Sequence, residues 1–327
     1  MKACIVGAGA IGSFIGVRLG RLEGVQLSAL ARGTTLSALR IEGMRLDLGG
    51  ETLRVACEAS DSAAALGPQD LVVIALKAPA LPALAASLAP LIGPQTIVLP
   101  AMNGIPWWFG QGLAALGSEP LQSVDPGGVV SAQLNGERVI GCVVHASVGM
   151  LAPGHAQHRM GHGLIIGEPQ GGGSARVESL GALLARAGFE VTCSERIRYD
   201  IWYKLWGNMT MNPVSALTGA TIDRLLADEL VREFCSEAMR EAAEIGQHIG
   251  CSVSQSPDDR HAVTRKLGAF KTSMLQDVES GRPMELDALL GAVREIAGRV
   301  HLATPNIDAL FGLTRLMGRV KGLYPAG

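Results

Sequence analysis

Apolar residues follow two rhythms along this chain. In the first half they form short runs, Lys2–Val6, Val25–Leu30, Leu71–Leu76 and Thr96–Leu99, set apart by stretches such as Ala10–Leu22 where they recur at helical spacing. Short buried strands alternating with helices predict a doubly wound parallel sheet covered on both faces. The runs Val139–Ser147 and Gly163–Ile166 flank a Pro153-Gly154 turn and predict an antiparallel hairpin added to that sheet. A helix over Val177–Ala187 and a strand over Glu190–Thr192 follow. Beyond about residue 195 the rhythm becomes helical throughout, over Asp223–Ile249, Pro257–Glu279, Met284–His301 and Asn306–Gly322. Pro257, Pro283 and Pro305 lie at or near the predicted helix starts, where a missing N–H costs nothing.

Composition narrows the functional classes. The 327 residues carry a net charge of −2 with no run of basic residues, which argues against nucleic acid as a partner. The most apolar long stretch, Leu71–Gly93, is broken by Lys77, Pro79, Pro82 and Pro90, so no membrane span is expected. The apolar patch Ala3–Val6 falls short of the roughly 7–15 residues of a secretory signal core. The six cysteines are dispersed without CxxC spacing and read as reduced thiols of a cytoplasmic protein.

The strongest local signal is Gly7-Ala8-Gly9-Ala10-Ile11-Gly12, between the first strand and the first helix. In this GxGxxG pattern the first glycine permits the tight turn and the second lets the backbone approach a pyrophosphate. The third lets helix and strand pack closely, while the helix N-terminus offers N–H donors. A site for NAD places a carboxylate about 20 residues further on, to hold the ribose 2′-hydroxyl. Here Leu30-Ala31-Arg32-Gly33-Thr34 has none, and Arg32 offers a donor fork suited to a 2′-phosphate, with Thr34 a weaker helper. The expected cofactor is NADPH/NADP+, held by a Rossmann-type domain over residues 1–195; an all-helical substrate and catalytic domain follows over 196–327.

Candidate chemistry lies at the ends of two further strands, where open α/β sheets bind ligands. Lys77 ends the run from Leu71, and Asn103-Gly104 follows the run Thr96–Leu99. Lys204, Asn208 and Asn212 recur every fourth residue and share a helix face. Trp202 and Trp206 flank the lysine, and partial desolvation there lowers an ammonium pKa toward the range of a working general acid. The plain alternatives are a solvated helix face for Lys204, an ordinary turn for Asn103-Gly104, and a strand end in water for Lys77.

Together these landmarks resemble the ketopantoate reductase (2-dehydropantoate 2-reductase) family, within the wider 6-phosphogluconate dehydrogenase-like group. The likeness extends over nearly the whole chain through Gly7-x-Gly-x-x-Gly12, Arg32, Leu76-Lys77-Ala78, Asn103-Gly104, Lys204-x-x-x-Asn208-x-x-x-Asn212-Pro213, Thr272-Ser-Met-Leu-Gln-Asp277 and Glu285. The resemblance implies NADPH-dependent reduction of a 2-oxo acid, with ketopantoate the leading substrate, in pantothenate biosynthesis. It implies Lys204 as general acid and Glu285 as the residue that binds substrate or orients the lysine. Asn208 and Asn212 would position lysine and substrate, Ser273 and Asn103 would contact the substrate, and Lys77 and Asn103 would also lie at the cofactor. A homodimer is left open.

The chain departs from the family at several points. Ile222 and Phe270 stand where the family carries or allows asparagine, and Asn103-Gly-Ile-Pro-Trp-Trp-Phe109 places a bulky aromatic run just past a substrate contact. The expectation from these changes is a pocket walled by Trp107, Trp108, Trp202 and Trp206. That keeps open a more apolar 2-oxo acid, or a hydroxy-acid or opine substrate, beside ketopantoate. A catalytically silent NADP(H)-binding sensor is the alternative of a different class. His155, His158 and His162 have metal-like spacing, but their place beside a hairpin turn favours surface histidines over a metal site.

Overall fold

The computed structural model describes residues 1–326, and contacts along the chain divide it into two compact units. The first comprises Met1–Met102 and Val129–Asp200; the second comprises Asn103–Gly128 and the chain from Ile201 onward. The first unit holds β1 (Lys2–Val6), α1 (Ala10–Gly20), β2 (Gln26–Leu30), α2 (Gly33–Glu42), β3 (Met44–Leu48), β4 (Glu51–Val55) and β5 (Glu58–Ser60). It continues through α3 (Ala63–Leu66), β6 (Gln69–Ile74), α4 (Leu81–Leu84), β7 (Ile92–Pro100), β8 (Gly141–Ala152), β9 (His155–Gly167), α5 (Ala175–Arg186) and β10 (Glu190–Ser194). Five parallel strands in the order β5-β2-β1-β6-β7 make the doubly wound sheet, with β1 at its centre.

The expected β8–β9 hairpin is present, turning at Gly154 with φ +70°. It organises a second sheet, in the order β10-β9-β3-β4 with β8 paired to β9. Helix α1 makes contact with β1 in one sheet and with β3 and β9 in the other, and Gly12 through Leu19 are all buried. A helix apolar on every side is one covered on every side. Gly16 shows the tightness of the fit: a Cβ there would stand 2.5 Å from Met44 Sδ and 2.9 Å from Ile5 Cγ1.

The three histidines on β9 each have a separate partner, and no group of side chains suited to a metal ion occurs among the described residues. His155 Nε2 pairs with Asp47 Oδ1 at 2.7 Å, and His158 Nε2 donates to the Gly161 carbonyl at 2.7 Å. Arg18 lies 4.7 Å from the centroids of both Phe14 and Phe189, donating Nη1 to the Gly188 carbonyl and Nη2 to His162 Nδ1 at 2.7 Å. A guanidinium only donates, so His162 Nδ1 carries a lone pair. Its ring stacks on His158 with centroids 4.4 Å apart.

The second unit holds most of α6 (Ile197–Thr218), then α7 (Ile222–Ala227), α8 (Glu229–His248), α9 (Pro257–Arg265), α10 (Ser273–Glu279), a π-helical turn Asp287–Gly291 leading into α11 (Ala292–Arg299), and α12 (Pro305–Val320). Two helices expected to be continuous are broken. Asp228 ends α7 and caps α8 by accepting from the Val231 N–H, and the second break, between α9 and α10, contains Gly268 at φ +61°. Pro257 and Pro305 occupy first helical turns, whereas the helix after Pro283 begins only at Leu286, leaving Glu285 just outside it instead of in its first turn. The 103–128 segment packs within this unit: Glu295 accepts from the Gln122 and Ser123 N–H groups at 2.8 Å, and Arg299 donates to the Leu116 and Pro120 carbonyls. No helix among the described residues is long and apolar enough to cross a membrane.

The histidine stack has a consequence for stability. Burial, the Arg18 charge and His158 hold the His162 pKa below its usual value, against the opposing charge of Glu190. The unfolded chain therefore binds that proton more readily, and the contribution is fully present above the unfolded value of about 6.5 and is lost as pH falls below it. Thermal unfolding followed from about pH 7 to pH 5 is expected to show a falling Tm in the native protein. His162→Gln, which keeps an acceptor for Arg18 without a titrating ring, is expected to lose that share of the fall; parallel curves would disprove the assignment.

Candidate active site

In the first unit the glycine turn sits at the carboxyl edge of the central strands. The Gly7 N–H donates to the Leu30 carbonyl at the end of β2, and the Ala75 N–H donates to the Val6 carbonyl. The three glycines are there for three different reasons. Gly7 has φ +93°, and a Cβ would meet Leu76 Cδ2 at 2.7 Å; at Gly12 it would stand 2.1 Å from the Gly7 carbonyl oxygen. At Gly9, the N-cap of α1, nothing lies within 4 Å of the Cβ position. Backbone geometry requires the first and third glycines, while the second leaves open space over a helix N-terminus, where a pyrophosphate would lie. Ala8 is buried within this turn, and Ala10 and Ile11 begin α1 half-buried.

Arg32 stands two residues past the end of β2, exposed, in extended conformation at the N-cap of α2. Lys77 is half-buried just past β6 and leads into a short helical turn, Ala78–Ala80. Gly7 packs against Ala75 and Leu76, so the glycine turn, Arg32 and Lys77 all fall on the same edge of the sheet, beyond the ends of β1, β2 and β6. These residues fit a phosphate-bearing dinucleotide.

In the second unit Lys204, Asn208 and Asn212 lie along one face of α6, followed by Pro213 within the helix. Lys204 Nζ donates to Asn103 Oδ1 at 2.9 Å, joining positions far apart in the chain. Asn212, 5% exposed, donates Nδ2 to Ser273 Oγ at 3.3 Å. Ser273 is exposed at the start of α10, and Thr272 before it caps the helix by accepting from the Leu275 N–H. The capping role thus falls to Thr272, and the Ser273 hydroxyl faces the asparagine row. Asn208 is half-buried between these two pairs, and Glu285 is buried at 8% exposure.

Main-chain packing holds Asn103 in place. Gly104 follows it with φ +79°, and a Cβ there would stand 2.4 Å from the Ala288 carbonyl oxygen, which accepts the Ile105 N–H at 2.8 Å. Only glycine tolerates both that dihedral and that approach. Ala288 belongs to the π-helical turn that begins two residues after Glu285. The sequence offered the Asn-Gly pair but no local sign of the carbonyl that receives it.

The tryptophans differ from the expected pocket wall. Trp107, Trp108, Trp202 and Trp206 are all within 2% of complete burial and fill the interior of the second unit. Trp206 Nε1 donates to the Met239 carbonyl at 2.6 Å, Trp202 stacks on Phe109 with centroids 6.1 Å apart, and the close approach of the Trp202 ring requires Gly246 on α8. Their flanking positions turn them away from the Lys204 face, since residues two apart on a helix point in different directions. The departures at Ile222 and Phe270 are neighbours, the Ile222 N–H donating to the Phe270 carbonyl at 3.0 Å.

Residues 3–171 match the family model described as ketopantoate reductase PanE/ApbA, and residues 196–318 match its C-terminal counterpart. The 2-dehydropantoate 2-reductase of Mesorhizobium japonicum is 42% identical over 325 residues, covering 99% of this chain and 100% of that one. A candidate ketopantoate reductase of Ralstonia solanacearum has a TM-score of 0.93 with 52% identity, each chain covered to 99%. The 2-dehydropantoate 2-reductase of Methylococcus capsulatus has a TM-score of 0.82 with 26% identity over the whole of both chains. The chain belongs to the ketopantoate reductase family.

Proposed function

We propose that this protein reduces 2-dehydropantoate to pantoate with NADPH, and that Lys204 is the proton donor. The observation that carries the reading is the Lys204 ammonium fixed on Asn103 at 2.9 Å, at the head of a row that continues through Asn208 to the Asn212–Ser273 pair. NADPH, when bound, supplies the hydride that adds to the C2 carbonyl carbon of the substrate. The carbonyl oxygen then gathers negative charge, which the ammonium stabilises and finally neutralises by giving up a proton. Asn103 takes one proton of the ammonium as a hydrogen bond and so sets where the donor stands. Asn208, Asn212 and Ser273 supply polar contacts for the oxygens of the 2-oxo acid, and buried Glu285 binds substrate or orients Lys204. With the four tryptophans in the interior, they do not form the aromatic wall that would favour a more apolar acid.

The first unit binds the cofactor through Gly7–Gly12, Arg32 and Lys77. Arg32 is the 2′-phosphate ligand, its fork exposed beside the glycine turn. The cytoplasm is the proposed compartment. Burial pushes the Cys4 and Cys57 thiols up to about 11 and Cys235 to about 12, which keeps these three protonated and unreactive.

NADPH oxidation should be fastest with 2-dehydropantoate among a panel of 2-oxo acids; turnover of none of them would refute the reading. Lys204→Ala is expected to lower kcat by roughly 100- to 10,000-fold while NADPH binding, followed by fluorescence titration, survives. A loss below about tenfold would mean that another group is the acid. Arg32→Ala is expected to weaken NADPH by about 1.5–3 kcal/mol, roughly 10- to 150-fold, with little effect on NADH. Equal losses for both cofactors would contradict the phosphate assignment.

A further inference from the structure

The chain beyond α12 returns to the stretch that carries Glu285. Leu323, 6% exposed, accepts the Met284 N–H at 3.1 Å, and the Tyr324 hydroxyl donates to Asp287 Oδ1 at 2.7 Å. The two bonds bracket Glu285, one at the residue before it and the other two residues after. Gly318 on α12 makes room for the return: a Cβ there would stand 2.3 Å from Met284 Cε and 2.9 Å from Tyr324 Cβ. The Leu323 N–H closes the loop on the Gly318 carbonyl at 2.7 Å.

Asp287 is also the first residue of the π-helical turn. Such turns are rare and frequently mark functional sites. The next residue, Ala288, receives Ile105 and crowds Gly104, and Gly104 follows the asparagine that holds Lys204. A continuous path of contacts, all within the second unit, thus leads from Tyr324 through Asp287 and Ala288 to Asn103 and Lys204. Burial raises the Asp287 pKa, against the Tyr324 hydrogen bond and the Arg315 charge; burial and Asp287 together raise that of Tyr324. The phenol therefore remains a donor at any working pH.

We propose that Tyr324 is a positioning residue for the reduction, fixing the π-helical turn through Asp287 and so setting Glu285 and Asn103, with its lysine, for proton delivery. The inference rests on the proton-donor reading of Lys204 given above. Tyr324→Phe removes one hydroxyl and keeps the ring. It is expected to lower kcat for 2-dehydropantoate roughly 3- to 30-fold with KM for NADPH unchanged. Asn103 stabilises the charged lysine, so a loosened contact lowers its pKa, and the alkaline limb of the kcat profile is expected to move to lower pH. Asp287→Ala should give the same loss, and combining it with Tyr324→Phe should add nothing further. Asp287→Asn, whose amide oxygen still accepts from the phenol, should recover most of the activity.

Native kcat and alkaline limb in Tyr324→Phe, or losses that multiply in the double variant, would overturn the inference. Lys204→Ala run beside them separates the two levels. If it is inactive and Tyr324→Phe is normal, only the positioning role falls; if it remains active, the proton-donor reading falls and takes this inference with it.

Discussion

A glycine pressed against a carbonyl governs the helical unit of this protein. With Gly104 at φ +79° and no space for a side chain beside Ala288, the turn after β7 has one resting place on the helical unit. Asn103 is thereby fixed, and the ammonium that bonds to it comes from a helix whose own position depends on Trp202 and Trp206 in the interior. Close packing of this kind resists displacement because every alternative forces backbone into backbone or empties a filled core. The proposed proton donor needs that rigidity, since small errors in placement are costly in rate.

The first unit uses glycine for the opposite purpose at one point. Gly7 and Gly12 are demanded by close approach within the protein, whereas Gly9 leaves open space above the first turn of α1. The two sheets that enclose α1 hold that helix on both sides, so its N-terminus is a fixed platform of N–H donors. Arg32, immediately after β2, extends the same edge with a positive fork suited to a phosphate.

What could be read from the sequence was what depends on local order. The strand–glycine–helix motif, Arg32 after β2 and the four-residue spacing of Lys204, Asn208 and Asn212 are written in consecutive or periodic positions, and each lies on the expected element. The β3–β4 hairpin lies outside the expected elements yet is legible locally: Met44–Leu48 alternates apolar and charged residues, the pattern of a half-buried strand, and Gly49-Gly50, both at positive φ, marks a two-residue turn. The expectation of a tryptophan pocket wall fails because proximity in sequence does not reveal which side of a helix a ring faces. Bonds between distant residues, Asn212 with Ser273 or Tyr324 with Asp287, leave no trace in either segment taken alone.

Family membership assigns a single chemical event, transfer of hydride to a carbonyl carbon, for which Lys204 on its asparagine is the proposed proton donor. The most direct measurement follows the hydride itself. With NADPH carrying deuterium in both positions at C4 of the nicotinamide and ordinary water as solvent, the pantoate formed from 2-dehydropantoate should contain one deuterium, at C2, by mass spectrometry. Pantoate without the label, or no pantoate at all, would contradict direct reduction by this protein.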